Sequence, residues 1–203
     1  MPKPNTVLVC FDGTWCTSNE GSNVYRIYEH AKVTDKQAKH YVDGLGTDGW
    51  ADSMAGGIWG TGIEKKIWKA YHHLQTSLLK REDKLVVVGF SRGAFTACVF
   101  AVFLVEVGLD RKLREEQFTK LFDQWRSQRE SSSGQDNDTA FDIHQVSAEL
   151  GLDASRFRSI RTQALGLFDT VAALDGKRPR FLSPAERKKL VIRTSVAKTQ
   201  QNQ

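Results

Sequence analysis

The sequence predicts an α/β fold in which a mostly parallel β-sheet carries helices on both faces. Two apolar runs, residues 6–11 and 84–88, are rich in valine and have the length of buried strands. Between them, residues 62–80 place apolar side chains at helical spacing. Because strands alternate with helices and no internal repeat occurs, we expect residues 1–203 to form one domain, with a disordered tail from about residue 197.

Composition and cysteine usage restrict the class of protein. The 203 residues are 40% hydrophobic and 26% charged, which is typical of a globular domain in water. No run of 18 apolar residues occurs, so we expect no membrane span, and the first residues lack a signal-peptide pattern. Cys10, Cys16 and Cys98 have no metal-ligand spacing and fit a reducing compartment. We therefore predict a cytoplasmic protein with no metal and no cofactor.

The remaining elements alternate in the same way. Ser22 or Asn23 can cap a helix over residues 23–31. We expect further helices at residues 92–107, 113–129, 139–150 and from Ser183 onward, and further strands at 40–42, 160–168 and 190–196. The glycine-rich stretch 48–62 carries large apolar side chains, which either line a pocket or lid or pack on the domain.

A G-x-S-x-G pattern, Gly89-Phe90-Ser91-Arg92-Gly93, lies between a predicted strand and a predicted helix. This is the context of a nucleophile elbow, the sharp turn that presents a serine hydroxyl at the carboxyl end of a sheet. Glycine lacks a Cβ atom, so strand and helix can pass close to the turn. We predict that Ser91 is a nucleophile. The alternative is a glycine-rich turn whose serine only caps the helix.

A serine nucleophile needs donors for the oxyanion and a carboxylate that orients its base. One donor is the backbone N–H of the residue after the nucleophile, here Arg92. The other comes from a loop after an earlier strand, where Gly13 or Thr14 is well placed, with Asp12 bordering the site. Asp169 follows a later strand and suits the carboxylate, although a turn aspartate is the alternative.

The base is the missing component. In the chain order of α/β-hydrolases the histidine follows the acid, but every histidine of this sequence precedes Asp169: His30, His40, His72, His73 and His144. His144, between Ser91 and Asp169, is the least implausible substitute. If the chain is active, a histidine should lie within about 3 Å of the Ser91 hydroxyl. Otherwise the base comes from an unexpected place or the chain lacks part of the usual domain.

The turn Asp12-Gly13-Thr14 also invites a different interpretation. Haloacid-dehalogenase-type phosphatases use the pattern D-x-D-G-T, in which the first aspartate is the nucleophile. Cys10 occupies that first position here, so the phosphatase nucleophile is missing. A nucleotide-binding P-loop is excluded as well, because no Gly-Lys-Ser or Gly-Lys-Thr occurs.

The formal net charge of +5 is distributed unevenly. Residues 151–203 contain eleven Lys and Arg against four Asp and Glu. Such a segment either meets an anionic membrane surface, a phosphate or a partner, or is a solvated surface. We expect no nucleic-acid partner, and the sequence does not indicate an oligomeric state.

Seven short motifs occur in order along the chain. They are Val9-Cys10-Phe11-Asp12-Gly13-Thr14-Trp15, Ser22-Asn23-Val24, Tyr41-Val42-Asp43-Gly44-Leu45-Gly46-Thr47, Gly60-Thr61-Gly62-Ile63, Ala70-Tyr71-His72-His73-Leu74, Gly89-Phe90-Ser91-Arg92-Gly93-Ala94 and Phe168-Asp169-Thr170-Val171. Together they resemble the uncharacterised α/β-hydrolase domain family that includes the type VI secretion phospholipase effectors. The resemblance covers roughly residues 6 to 175.

This resemblance implies an α/β-hydrolase-like fold and a serine hydrolase that cleaves ester bonds, with phospholipids as substrates in the effector branch. Ser91 would be the nucleophile, Asp169 the acid, and the turn after the first strand would border the oxyanion site. Family members usually have a histidine in a later motif, so we expect a domain without its C-terminal portion. Delivery by a secretion system is compatible with the resemblance to these effectors. The competing function is a shortened or degenerate hydrolase that binds a partner or lipid without catalysis.

Overall fold

The computed structural model describes four stretches of the chain, residues 6–46, 62–77, 83–132 and 141–170. They contain, in chain order, β1 (Thr6–Phe11), α1 (Asn23–His30), β2 (Gln37–Val42), α2 (Ile63–Ser77), β3 (Lys84–Phe90), α3 (Arg92–Glu106), α4 (Glu115–Ser132), α5 (Ile143–Glu149), a 3₁₀ turn (Ala154–Arg156) and β4 (Thr162–Phe168).

The strands of these stretches form one parallel sheet in the order β2-β1-β3-β4. Val9 at the middle of β1 lies opposite His40 of β2 and Val87 of β3. Because all strands of a parallel sheet point the same way, their carboxyl ends meet at one edge. The α/β fold predicted from the alternation of strands and helices is therefore confirmed.

Helices cover both faces of the sheet. On one face, Val24 of α1 packs with three strand residues, Leu8, Cys10 and Val88. On the other face, alternate strand residues such as Val7, Val9 and Phe11 pack against α2 and α3. Burial of such aliphatic or aromatic side chains stabilises the fold by roughly 1.5–3 kcal/mol each. Burial on both faces is why β1 consists almost entirely of apolar residues.

A second apolar layer fixes α4 against α2 and α3. Its rings pack at centroid distances of 5.1–6.1 Å and belong to Tyr71, Phe103, Phe118, Phe122 and Trp125. The indole N–H of the buried Trp125 donates to Glu106 Oε2 at 2.7 Å, and Arg129 pairs with the same carboxylate. The helix that follows Ser91 is thereby anchored at its far end.

Element bounds differ from the sequence predictions where polar residues decide them. Strand β2 begins at Gln37, three residues earlier than predicted. The prediction missed its first residues because they are half-exposed and form no apolar run. Helix α5 begins only at Ile143, because the Asp142 side chain accepts hydrogen bonds from the next backbone N–H groups and caps it there. Residues 48–61 of the predicted lid lie outside the described residues, as do the predicted elements after Ser183 and the tail.

Candidate active site

The carboxyl edge of the sheet brings the predicted site segments together. The turn after β1 contains Gly13 and Thr14, the turn after β3 contains Ser91, and Asp169 directly follows β4. Since β1 and β4 both pair with β3, Ser91 lies between the other two segments. These residues are far apart in sequence, and the sheet order alone makes them neighbours.

Ser91 has an unusual backbone conformation. Its φ is +53° and its ψ is −122°, a region that residues with a side chain rarely occupy and that costs on the order of 1–3 kcal/mol. The Ser91 N–H donates to the carbonyl of Phe168 at 2.9 Å, which ties the turn to β4. The Ser91 side chain makes no capping hydrogen bond with α3, although it stands at the N-cap position. The interpretation of Ser91 as a capping serine therefore has no support.

Two glycines make this turn sterically feasible. A Cβ atom on Gly93 would lie 2.3 Å from the carbonyl oxygen of Asp12, and one on Gly89 would lie 2.5 Å from the Cα of Ala94. Real Cβ atoms essentially never approach other atoms closer than 3.0 Å. The start of α3 thus packs directly on the backbone of β1 and β3, and only glycine fits at either position.

The turn after β1 lies against the nucleophile. A Cβ atom built on Gly13 would lie 2.6 Å from the ring of Phe90 and 3.4 Å from the Cβ of Ser91. The Gly13 N–H is already engaged, because it donates to Asp12 Oδ1 at 2.7 Å. The Thr14 N–H has no hydrogen-bond partner among the described residues, while the Thr14 hydroxyl accepts from Arg92 Nε. Of the two predicted donors in this turn, Thr14 is the available one.

Asp12 is buried, and both of its carboxylate oxygens accept hydrogen bonds. The position two residues earlier, which carries the nucleophile in D-x-D-G-T phosphatases, is Cys10. Burial is the main reason that the pKa of the Cys10 thiol is raised to about 12. A neutral, buried thiol is a poor nucleophile, so phosphatase chemistry has no reactive group at this position.

Asp169 lies one residue beyond the Phe168 carbonyl that binds the Ser91 N–H. Its φ is +44°, and its side chain is exposed. No hydrogen bond or ion pair of its carboxylate is found within the described parts of the chain. Asp169 is therefore placed beside the nucleophile turn, and its carboxylate is open to a partner.

No hydrogen bond or ion pair joins Ser91 or Asp169 to any of the five histidines, all of which lie in the described stretches. His30 ends α1 and binds the carbonyl of Arg26. His72 binds the side chain of Gln75 on α2, and His144 is exposed at the start of α5.

His40 and His73 instead stack on each other across β2 and α2. Their ring centroids are 4.3 Å apart and their planes differ by 10°. Burial, with smaller contributions from His73 and Lys69, lowers the pKa of His40 from 6.5 to about 4. Burial and the neighbouring His72 also lower the pKa of His73. This pair is a neutral packing contact between β2 and α2. It does not supply the base that the sequence analysis could not find.

Two cavities in the described structure lie away from Ser91. One of about 370 Å³ lies between α4 and α5, and one of about 190 Å³ lies at the amino edge of the sheet beside Lys84 and Arg161.

No group of three or more His, Cys, Asp or Glu side chains in the described stretches is arranged to hold a metal ion. Among the helices described, none is long and apolar enough to cross a bilayer.

Comparison with known proteins decides the family. The family model for the catalytic domain of Tle1-like phospholipase effectors of the type VI secretion system matches residues 5–202. The chain belongs to this family. The resemblance predicted from the seven motifs is thereby confirmed, and the family is one of lipid-hydrolysing domains.

A curated relative of the Tle1-like chain is an uncharacterised protein of Saccharomyces cerevisiae (strain ATCC 204508 / S288c). The two are 24% identical over 208 residues, an alignment that covers 91% of this chain and 29% of the yeast protein. The chain therefore spans less than a third of the length of this relative. No solved structure matches the sequence.

Proposed function

We propose that this Tle1-like domain hydrolyses carboxylic esters of lipids through an acyl-enzyme on Ser91. The observation that carries the proposal is the conformation of Ser91. Its strained turn stands at the carboxyl end of β3, and its side chain does not cap α3. Strained backbone of this kind clusters at functional sites. A hydroxyl held in this way between two other strand ends is positioned to attack a bound ester.

The reaction divides into acylation and deacylation. The Ser91 oxygen attacks the ester carbonyl carbon and its proton passes to a base; the C–O bond to the alcohol then breaks, the alcohol oxygen takes that proton from the base, and the acyl group stays on Ser91. A water molecule then hydrolyses the acyl-enzyme. The Thr14 N–H and the Arg92 N–H at the start of α3 are the proposed donors to the oxyanion, and each such donor is worth roughly 3–4 kcal/mol. Asp169 is the proposed carboxylate that orients the base.

Because no histidine of the described stretches forms a hydrogen bond with Ser91, the proposal assigns the role of proton acceptor to no side chain among them. This has a direct experimental consequence: imidazole in solution can take the proton in place of a histidine side chain. We therefore expect the acylation of Ser91 to be slow in buffer alone and to rise with the concentration of neutral imidazole.

A fluorophosphonate probe tests the proposal, because it forms a covalent bond with an activated serine. We expect the wild-type chain to be labelled, faster with imidazole, and the Ser91→Ala variant not to be labelled. Ser18→Ala is the matched control, since Ser18 is an exposed serine in the turn region before α1. The proposal fails if the wild type takes no label with imidazole, or if Ser91→Ala is labelled as fast as the wild type.

One observation favours a second function, a domain that binds a lipid or a partner without catalysis: no histidine of the described stretches forms a hydrogen bond with Ser91. In that case the basic segment of residues 151–203 would bring the chain to anionic membranes. Cosedimentation of the Ser91→Ala variant with phosphatidylglycerol vesicles, compared with phosphatidylcholine vesicles, measures this binding. Preferential binding to the anionic vesicles without any labelling of the wild type would favour this second function.

A further inference from the structure

A nearly inaccessible carboxylate stands at the end of β1, next to the proposed site. Asp12 is 2% exposed, and no salt bridge reaches it from any described residue. A buried charge is costly unless hydrogen bonds replace its water. Three donors do so here: the Gly13 N–H at 2.7 Å, the Tyr41 hydroxyl at 2.6 Å and the Ser22 hydroxyl.

These three donors come from three different elements. Gly13 belongs to the turn after β1, Ser22 is the N-cap of α1, and Tyr41 belongs to β2. The Ser22 oxygen also accepts from the Tyr25 N–H at 2.9 Å, so the same hydroxyl starts the helix and binds the carboxylate. Asp12 thereby fixes the turn relative to both neighbouring elements.

The Tyr41 hydroxyl stays protonated beside Asp12. Burial first, and then the hydrogen bond and the charge of Asp12, raise the pKa of the Tyr41 hydroxyl. The Tyr41 hydroxyl therefore remains a donor to Asp12 across the ordinary pH range.

The turn that Asp12 fixes is the turn that touches the nucleophile. Gly13 lies so close to Phe90 and Ser91 that an added Cβ atom would contact both. Asp12 Oδ1 accepts from the Gly13 N–H, whereas the N–H of the next residue, Thr14, has no hydrogen-bond partner among the described residues. A shift of the Asp12 carboxylate would therefore move or rotate the peptide groups beside Ser91.

We propose that Asp12 is a positioning residue, whose buried carboxylate holds the turn after β1 so that the Thr14 N–H is the donor to the oxyanion formed at Ser91. The inference rests on the proposed ester hydrolysis. Asp12 itself exchanges no proton with the substrate, since both of its oxygens are occupied within the fold. It acts through the backbone of Gly13 and Thr14.

The test removes one donor and leaves the carboxylate in place. Tyr41→Phe deletes the hydroxyl that binds Asp12, and Tyr28→Phe is the matched control. Tyr28 packs in the same aromatic group at 5.4 Å from Tyr41, and its hydroxyl makes no hydrogen bond with any described residue. Both variants are measured well below their melting temperatures, with fluorophosphonate and imidazole present.

Loss of a whole oxyanion donor costs roughly 10²–10³ in rate, so partial displacement of Thr14 should lower the limiting acylation rate about tenfold. We expect this fall in Tyr41→Phe with the half-saturating probe concentration unchanged, and no fall in Tyr28→Phe. The variant Asp12→Asn, which keeps the size of the side chain, should fall further. Equal limiting rates in Tyr41→Phe and Tyr28→Phe would overturn the inference.

A second measurement separates this inference from the proposed function. Amide hydrogen exchange at residues 13–15 reports the order of the turn without any chemistry at Ser91. We expect faster exchange in Tyr41→Phe than in Tyr28→Phe. If the wild type takes no label, the proposed hydrolysis fails, and exchange alone then decides: equal exchange in the two variants contradicts the positioning role.

Discussion

A single methyl group at Gly93 should force strand β1 and helix α3 apart. In the Gly93→Ala variant the new Cβ atom would lie 2.3 Å from the carbonyl oxygen of Asp12 and 2.4 Å from that of Phe11. Both are backbone atoms, one of the last residue of β1 and one of the residue after it, so no side-chain rotation can relieve the contact. The elements must separate by roughly 0.7 Å to restore an acceptable distance.

The expected cost follows from the rigidity of these partners. Overpacking a core typically destabilises a protein by about 1–3 kcal/mol, and contacts with fixed backbone belong at the upper end. We expect a loss of about 3 kcal/mol in the free energy of unfolding. For a domain of this size that loss lowers the melting temperature by roughly 6–12 °C. Labelling of Ser91 should fall as well, because the turn after β1 moves with Asp12.

Thermal unfolding followed by circular dichroism measures this loss against a control on strand β4. A Cβ atom on Gly166 would lie 3.6 Å from Val88 Cγ2, which is an ordinary van der Waals contact. Gly166→Ala should therefore change the free energy of unfolding by no more than about 0.5 kcal/mol. If Gly93→Ala melts within about 2 °C of Gly166→Ala, the close packing of α3 on β1 described here is wrong.

Two further predictions concern acidic pH and the anchoring of α4. The pKa of His40 lies at about 4 in the folded protein against 6.5 ordinarily, so the unfolded chain binds this proton first and stability falls as the pH drops from 6.5 toward 4. Because the ring is partly exposed, we expect about 1–2 kcal/mol between pH 7 and pH 5 in urea unfolding. His73, whose pKa burial also lowers, keeps part of this dependence, so His40→Gln should show a shallower fall in stability than His144→Gln; equal slopes would refute the assignment. Glu106→Ala removes the carboxylate that accepts from the buried Trp125 N–H and pairs with Arg129, and should cost about 2–3 kcal/mol in urea unfolding, against at most about 0.5 kcal/mol for the exposed Glu116→Ala.

The fold could be predicted because its signals are local. An apolar run predicted β1, and helical spacing predicted α2, because burial on two faces or on one stripe leaves a direct mark on the sequence. The turn at Ser91 was equally readable, since strand, glycine, serine, glycine and helix follow one another without a gap. Strand β2 was harder, because an edge strand with half-exposed residues carries little apolar pattern.

The support of the candidate site could not be predicted, because it depends on contacts between distant residues. Asp12, Ser22 and Tyr41 are separated by 10 and 29 positions and meet only after β1, α1 and β2 have assembled. In the assembled sheet Tyr41 lies opposite Cys10, which is two residues before Asp12, and this register is not written in either segment's sequence. The engagement of the Gly13 N–H by Asp12 has no counterpart in the sequence pattern.

The central claim is that the Ser91 hydroxyl is the nucleophile. Labelling with a fluorophosphonate followed by peptide mass spectrometry tests this claim most directly. The Tle1-like domain should carry one probe adduct on the peptide that contains Ser91, formed faster when imidazole is added. Ser91→Ala should carry none, and Ser18→Ala should match the wild type. An adduct on any other serine, or no adduct at all with imidazole present, would contradict the account.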